Sequence, residues 1–207
     1  MNTARKIASF LLETQAVKLS PQKPFKWSSG WNSPIYCDNR ITLSHTEART
    51  FIKKALAKAI KKHFPEATMI AGVATAGIAQ GALVADYLQM PFAYVRPKPK
   101  DHGMGNQIEG RIPEGSKVVV LEDLISTGGS SIKAAEALQA QGVEVLGMAA
   151  IFTYGFKTAD KNFEVKNLKL VTLSNYSYLI DEALKQNYIS AEDIDLLKKW
   201  RRQPDKF

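Results

Sequence analysis

Residues 118–121, VVVL, place four apolar side chains in a row, followed by the two carboxylates of Glu122 and Asp123 and then by LISTGGSS. A strand with one wet face alternates apolar and polar residues. A run without alternation is a strand covered on both faces, the condition of a parallel sheet between layers of helix. The chain repeats that condition: short apolar segments at 68–72, 91–95, 117–121, 143–152 and 168–173 predict strands. Helical spacing predicts helices over 4–17, 78–89 and 130–141, and two more near the C-terminus. A further helix is predicted up to about His63, with Ser44 as its N-cap and Glu47 at the capping-box position. Strands alternating with helices define an α/β fold with a mostly parallel central sheet flanked by helices, expected as one domain over 1–207.

Charge and cysteine content narrow the function classes. A chain of 207 residues buries a core without staples, and its single cysteine, Cys37, forms no internal disulfide, which fits a reducing cytoplasm. No apolar run approaches the ~20 residues of a membrane span, and the polar residues recurring through the N-terminal segment argue against a signal peptide. The formal net charge of +8 fits a nucleic acid, an anionic surface or a polyanionic small substrate. The groups KKALAKAIKKH and KKWRR read as solvated faces of amphipathic helices. RPKPKDH lies in a Pro-broken segment, so its charges need another explanation. That segment belongs to a predicted loop, 96–113, of a length that is usually functional, and its cations, glycines and histidine suit a lid over an anion.

In an open parallel sheet, ligands bind beyond the carboxyl ends of the strands. Glu122 and Asp123 are expected to emerge at that edge, followed by a small-residue turn, Ser126-Thr127-Gly128-Gly129-Ser130, and a helix from Ser130 or Ser131. Converging amide N–H groups and a helix N-terminus cradle a phosphate monoester, with Thr127, Ser130 and Ser131 as extra hydroxyl donors. Carboxylates repel a phosphate, but they accept hydrogen bonds from vicinal hydroxyls or hold a metal through water. Hydroxyls beside a phosphate describe a ribose 5-phosphate. The pattern is neither a Walker A loop nor the dinucleotide fingerprint. The bland alternative is a polar strand-to-helix turn with Asp as a cap.

VVVLEDLISTGGSS resembles the signature of the type I phosphoribosyltransferases, which bind 5-phosphoribosyl 1-pyrophosphate. YVRPKPKDHG is similar to the mobile loop of the orotate phosphoribosyltransferases, FKWSSGWNSPIYCDNR to their base-covering segment, and GVATAGIAQGALVA to their pyrophosphate turn. The resemblance spans residues 4 to about 180, with the four motifs in the expected order. It implies a small N-terminal hood, mainly 1–45, and transfer of ribose 5-phosphate to orotate in pyrimidine biosynthesis. Donor binding falls on Arg96, Lys100, His102, Glu122, Asp123, Leu124, Ile125, Ser126, Thr127, Gly128, Gly129 and Ser130. Lys100 and His102 are the expected catalytic pair at the pyrophosphate. Ser126, Tyr36 and Arg40 are the orotate candidates, Arg40 for the carboxylate. Mg²⁺ is expected to come with the substrate, without direct protein ligands, and to meet Glu122 or Asp123 through water. The expected partners are the two small substrates and a second copy of the chain, whose site the loop covers; nucleic acid and membrane are not expected.

Four positions depart from the family pattern. Ser28 stands where some members carry Lys, with Lys26 two residues earlier, and Arg96 is followed by Pro97 rather than Lys. Ala76 replaces a Lys of the pyrophosphate turn, and IFTYGF lacks the Arg that in some members holds the carboxylate. Trp27 is read equally as core aromatic and as base contact, and Cys37 as a small apolar residue rather than a nucleophile. Two rival readings are a purine phosphoribosyltransferase and a nucleic-acid-binding regulator on the same fold. The base-covering segment opposes the first; only one helix ahead of that segment opposes the second.

Overall fold

The computed structural model describes residues 2–27, 30–98 and 107–207. Helix α1 (Thr3–Glu13) is capped by Asn2, whose side-chain oxygen accepts the Ala4 N–H at 2.7 Å. It stops short of the expected end at 17, because Gln15 takes a left-handed φ of 58°. Val17 instead opens strand β1 (Val17–Leu19), followed by β2 (Phe25–Lys26), β3 (Asn32–Ser33) and β4 (Ile35–Cys37). β1 pairs with β4 and β2 with β3, both antiparallel. A 3-10 helix, Asn39–Ser44, then leads into α2 (Thr46–His63). Ser44 therefore closes the 3-10 helix instead of capping α2. His45 holds the cap position without a side-chain bond, and Glu47 faces the helix dipole from the first turn.

The remaining elements are β5 (Met69–Val73), α3 (Ala76–Leu88), β6 (Phe92–Val95), β7 (Ile108–Glu109), β8 (Lys117–Ile125), α4 (Gly129–Gln139), β9 (Glu144–Thr153), α5 (Lys157–Val165), β10 (Leu170–Asn175), α6 (Tyr176–Lys185) and α7 (Asp193–Arg202). Six strands form one sheet in the order β10-β9-β8-β5-β6-β7, parallel throughout except for β7. Side chains alternate across β8: Val119 and Leu121 join a core with α1, α2, α6 and α7, while Val118 and Val120 join one with α4 and α5. Burial on both faces explains the unbroken apolar run. Among the described residues no helix is long and apolar enough to cross a membrane.

Two further expectations of the fold need correction. The segment 96–113 is not structureless: Ile108 and Glu109 pair antiparallel with Val95 and Tyr94, so its far limb extends the sheet. Helix α5 was not foreseen, because its core contact rests on Ala159 and Phe163 alone, too few apolar residues to register as a periodic stripe.

Candidate active site

Strand order reverses between β5 and β8, and such a switch point opens a crevice at the carboxyl ends of the strands. β5 accompanies β8 only to the Gly72–Leu121 pair, whereas β9 continues to the Thr153–Ile125 pair. Glu122 and Asp123 therefore lie inside β8, not beyond its end as expected, on a stretch whose β5-facing edge is free. The start of α3 closes on that edge. A Cβ at Gly77 would sit 2.5 Å from the Leu121 carbonyl oxygen, so only glycine allows the approach.

The two acids differ. Glu122 is 6% exposed, and its carboxyl accepts the Ser131 hydroxyl at 2.9 Å and the Asp123 N–H at 3.0 Å. Burial first, and then the neighbouring Asp123 carboxylate, push Glu122 up to about 8. Burial also raises Asp123, which is less enclosed, and its backbone carbonyl accepts the Asn39 amide at 2.8 Å. Burial thus holds both carboxyls toward their protonated forms, Glu122 the more enclosed of the two. Ser131, expected as a phosphate donor, is buried and turned inward to Glu122.

The turn after β8 is held from outside. Gly128 has φ 81°, and a Cβ there would meet the Phe163 ring of α5 at 2.6 Å. Asn162 of α5 donates to the Thr127 carbonyl at 2.9 Å. Helix α4 begins at Gly129, earlier than expected, and Gly129 and Ser130 are exposed, so first-turn N–H groups face the crevice.

A cleft opens on either side of this turn. One, of about 620 Å³, has aromatic walls from Trp27, Trp31, Tyr36 and Tyr154, with Ser126, Thr127, Cys37 and Lys26 as its polar lining. The other, of about 380 Å³, is lined by Ala74, Arg96, Gly129, Ser130 and Lys133. Arg96 is fixed there by mutual bonds with Gln107, its N–H to the Gln107 carbonyl at 2.8 Å and the Gln107 amide to its own carbonyl at 2.9 Å. Its guanidinium stands 3.8 Å from Glu109. Lys100 and His102 lie outside the described residues, as does Ser28.

In the first cleft, Trp27 is packed as a core aromatic and also faces the open space. Its ring packs 5.3 Å from Tyr154 and 5.7 Å from Trp200, its Nε1 donates to the Ile35 carbonyl at 3.0 Å, and it also lines the cleft. Tyr36 is exposed against Phe25. Ladder bonds from Ser20 N–H to Pro34 and from Asp38 N–H to Ala16 fall on even-numbered residues of this strand, so the Cys37 amide turns away from β1. The Cys37 thiol is raised by burial and then by Asp123 and Asp38, which keeps it protonated and a poor nucleophile. Arg40 is absent from the cleft lining; it grips Asp38 through Nε at 2.7 Å and Nη2 at 2.8 Å. Lys26 was named only as standing two residues before Ser28, and Tyr154, Asn39 and Asn162 were not singled out. Tyr154 was findable, since it directly follows β9 at the ligand-binding edge.

A mostly parallel sheet whose switch point holds an acid pair, a glycine-hydroxyl turn and flanking aromatic and cationic clefts defines the type I phosphoribosyltransferase class. The phosphoribosyl transferase domain family matches residues 43–187. Orotate phosphoribosyltransferase of Cytophaga hutchinsonii is 57% identical over 204 residues, covering 99% of this chain and 98% of that protein. Its namesake from Porphyromonas gingivalis is 58% identical over 199 residues, covering 96% and 95%. The crystal structure of orotate phosphoribosyltransferase from Aeropyrum pernix aligns with a TM-score of 0.76 at 29% identity, over 89% of this chain and 99% of that one. The chain belongs to the orotate phosphoribosyltransferase family.

Proposed function

We propose that this protein transfers ribose 5-phosphate from 5-phosphoribosyl 1-pyrophosphate to N1 of orotate, giving orotidine 5′-monophosphate and pyrophosphate. The observation that carries this reading is the Ser126–Ser130 turn standing between an aromatic cleft and a cationic one, with the acid pair at its root. A donor laid across the turn puts its 5-phosphate on the exposed N–H groups at Gly129 and Ser130. Its ribose hydroxyls meet Asp123, with Glu122 held behind it by Ser131, and its pyrophosphate lies toward Arg96. The acceptor ring stacks in the aromatic cleft, within reach of the Ser126 hydroxyl. Loss of pyrophosphate ahead of attack gives an oxocarbenium-like ribose, so positioning and charge stabilisation supply most of the rate. Stacked rings around the acceptor exclude water from that cation. Lys100 and His102 are the groups assigned to the departing pyrophosphate, on sequence grounds alone.

The donor set at the crevice is the two carboxylates of Glu122 and Asp123, and no group of three or more metal-ligating side chains exists among the described residues. Asp123, the more open of the two, would hold a Mg²⁺ that arrives with the donor, and such an ion would supply charge neutralisation for the leaving group. A homodimer, with the 96–113 segment of one copy serving the other, and a cytoplasmic setting belong to the same reading. The test is loss of orotate absorbance on adding donor and Mg²⁺, run beside uracil, adenine and hypoxanthine. Turnover of a purine but not orotate sinks the assignment. Sedimentation at the monomer mass sinks the dimer.

A further inference from the structure

We propose that Lys26 is a specificity residue, holding the carboxylate that distinguishes orotate from an unsubstituted pyrimidine. The inference rests on the acceptor assignment above. Lys26 is the only cation among the described residues lining the aromatic cleft. It makes no ion pair or side-chain hydrogen bond among the described residues, so its ammonium is uncommitted. The β2–β3 hairpin carries it, opposite Asn32 in the pairing register.

The other nearby cations are engaged or elsewhere. Arg40 is clamped on Asp38 by two bonds and lines none of this cleft. Lys157, Arg201 and Arg202 line a neighbouring cavity of about 310 Å³ that meets this cleft only at Trp31 and Thr127, and Arg201 donates to the Ser177 hydroxyl. Charge around the cleft reinforces the choice: Cys37 and Tyr154 on its lining lie in the field of Asp123, which repels a second carboxylate. A carboxylate entering this aromatic cleft needs a cation to offset Asp123, and Lys26 is the one on its lining.

Orotidine and uridine 5′-monophosphates differ only in that carboxylate, and their binding is measured by quenching of tryptophan fluorescence, without turnover. Wild-type protein is expected to prefer orotidine 5′-monophosphate. Lys26→Ala is expected to weaken that ligand about 10- to 100-fold and leave uridine 5′-monophosphate unchanged. Lys26→Arg should retain most of the preference and Arg202→Ala all of it. In turnover, Lys26→Ala should raise KM for orotate and leave KM for the donor in place. If wild type turns over orotate while Lys26→Ala keeps the full preference, or Arg202→Ala loses it, the Lys26 assignment is wrong and the reaction stands. If wild type does not turn over orotate, the acceptor assignment falls and takes this one with it.

Discussion

Glu122 and Asp123 are adjacent, yet the fold makes them different acids. Glu122 is drawn under α4 by Ser131, and Asp123 stays at the crevice. With its carboxyl raised from 4.5 to about 8, Glu122 binds a proton more tightly in the folded chain than in the unfolded one. Its stabilising contribution is therefore complete below about pH 4.5, the unfolded value, and is lost as pH rises through about 8. Glu122→Gln keeps a neutral side chain of the same shape and removes that titration. The urea midpoint of wild type should fall between pH 6 and pH 9 by more than that of Glu122→Gln. Parallel curves for the two proteins would show that Glu122 is ionised at neutral pH.

At the scale of elements, the Ser126–Ser130 turn, proposed to hold the donor phosphate, is braced from outside by α5. Asn162 holds the Thr127 carbonyl, and Phe163 fills the space that a side chain at Gly128 would need. Asn162→Ala removes one partly buried hydrogen bond, worth about 1 kcal/mol. It is expected to raise KM for the donor several-fold, with KM for orotate little changed; steady-state kinetics in both substrates check the split. Equal rises in both constants would mean that α5 supports the whole crevice rather than its turn. This brace also marks where reading the sequence stops. The sheet, the acid pair and the turn were legible because each is local: an unbroken apolar run, adjacent carboxylates, glycines beside hydroxyls. Asn162 and Thr127 are separated in sequence by helix α4 and strand β9, and only the tertiary fold joins them. Asn39 reaching the Asp123 carbonyl is the same kind of contact. The end of β8 was misjudged for a related reason, since carboxylates usually end a strand, whereas here β9 goes on pairing past them.

On the scale of the molecule, the aromatic cleft is lined by the N-terminal segment, the end of β8 and Tyr154, and the C-terminal helix packs behind it. The family match covers 43–187, whereas Trp27 lies before it and Trp200 after it. Trp200 is fully buried, its ring 5.7 Å from Trp27, 5.7 Å from Tyr154 and 5.4 Å from Phe156. Two further bonds tie the same regions, from Gln22 to Asp193 at 3.1 Å and from Asn32 to the Phe207 carbonyl at 3.4 Å. Helix α7 is thus the floor on which the N-terminal segment around Trp27 rests, while the Ser126–Ser130 turn stands on α4 and α5. Trp200→Ala should cost about 3–5 kcal/mol of stability, as large-to-small changes of buried aromatics do. In protein that remains folded, it should raise KM for orotate well above any change in KM for the donor. Trp200→Phe should come close to wild type, since the Trp200 indole N–H has no partner among the described residues and most of the ring contacts survive. Thermal unfolding together with the two KM values decides the point. A stability loss with both constants rising equally would mean that the C-terminal helix supports the sheet as a whole, and that the hood is seated by its own strands.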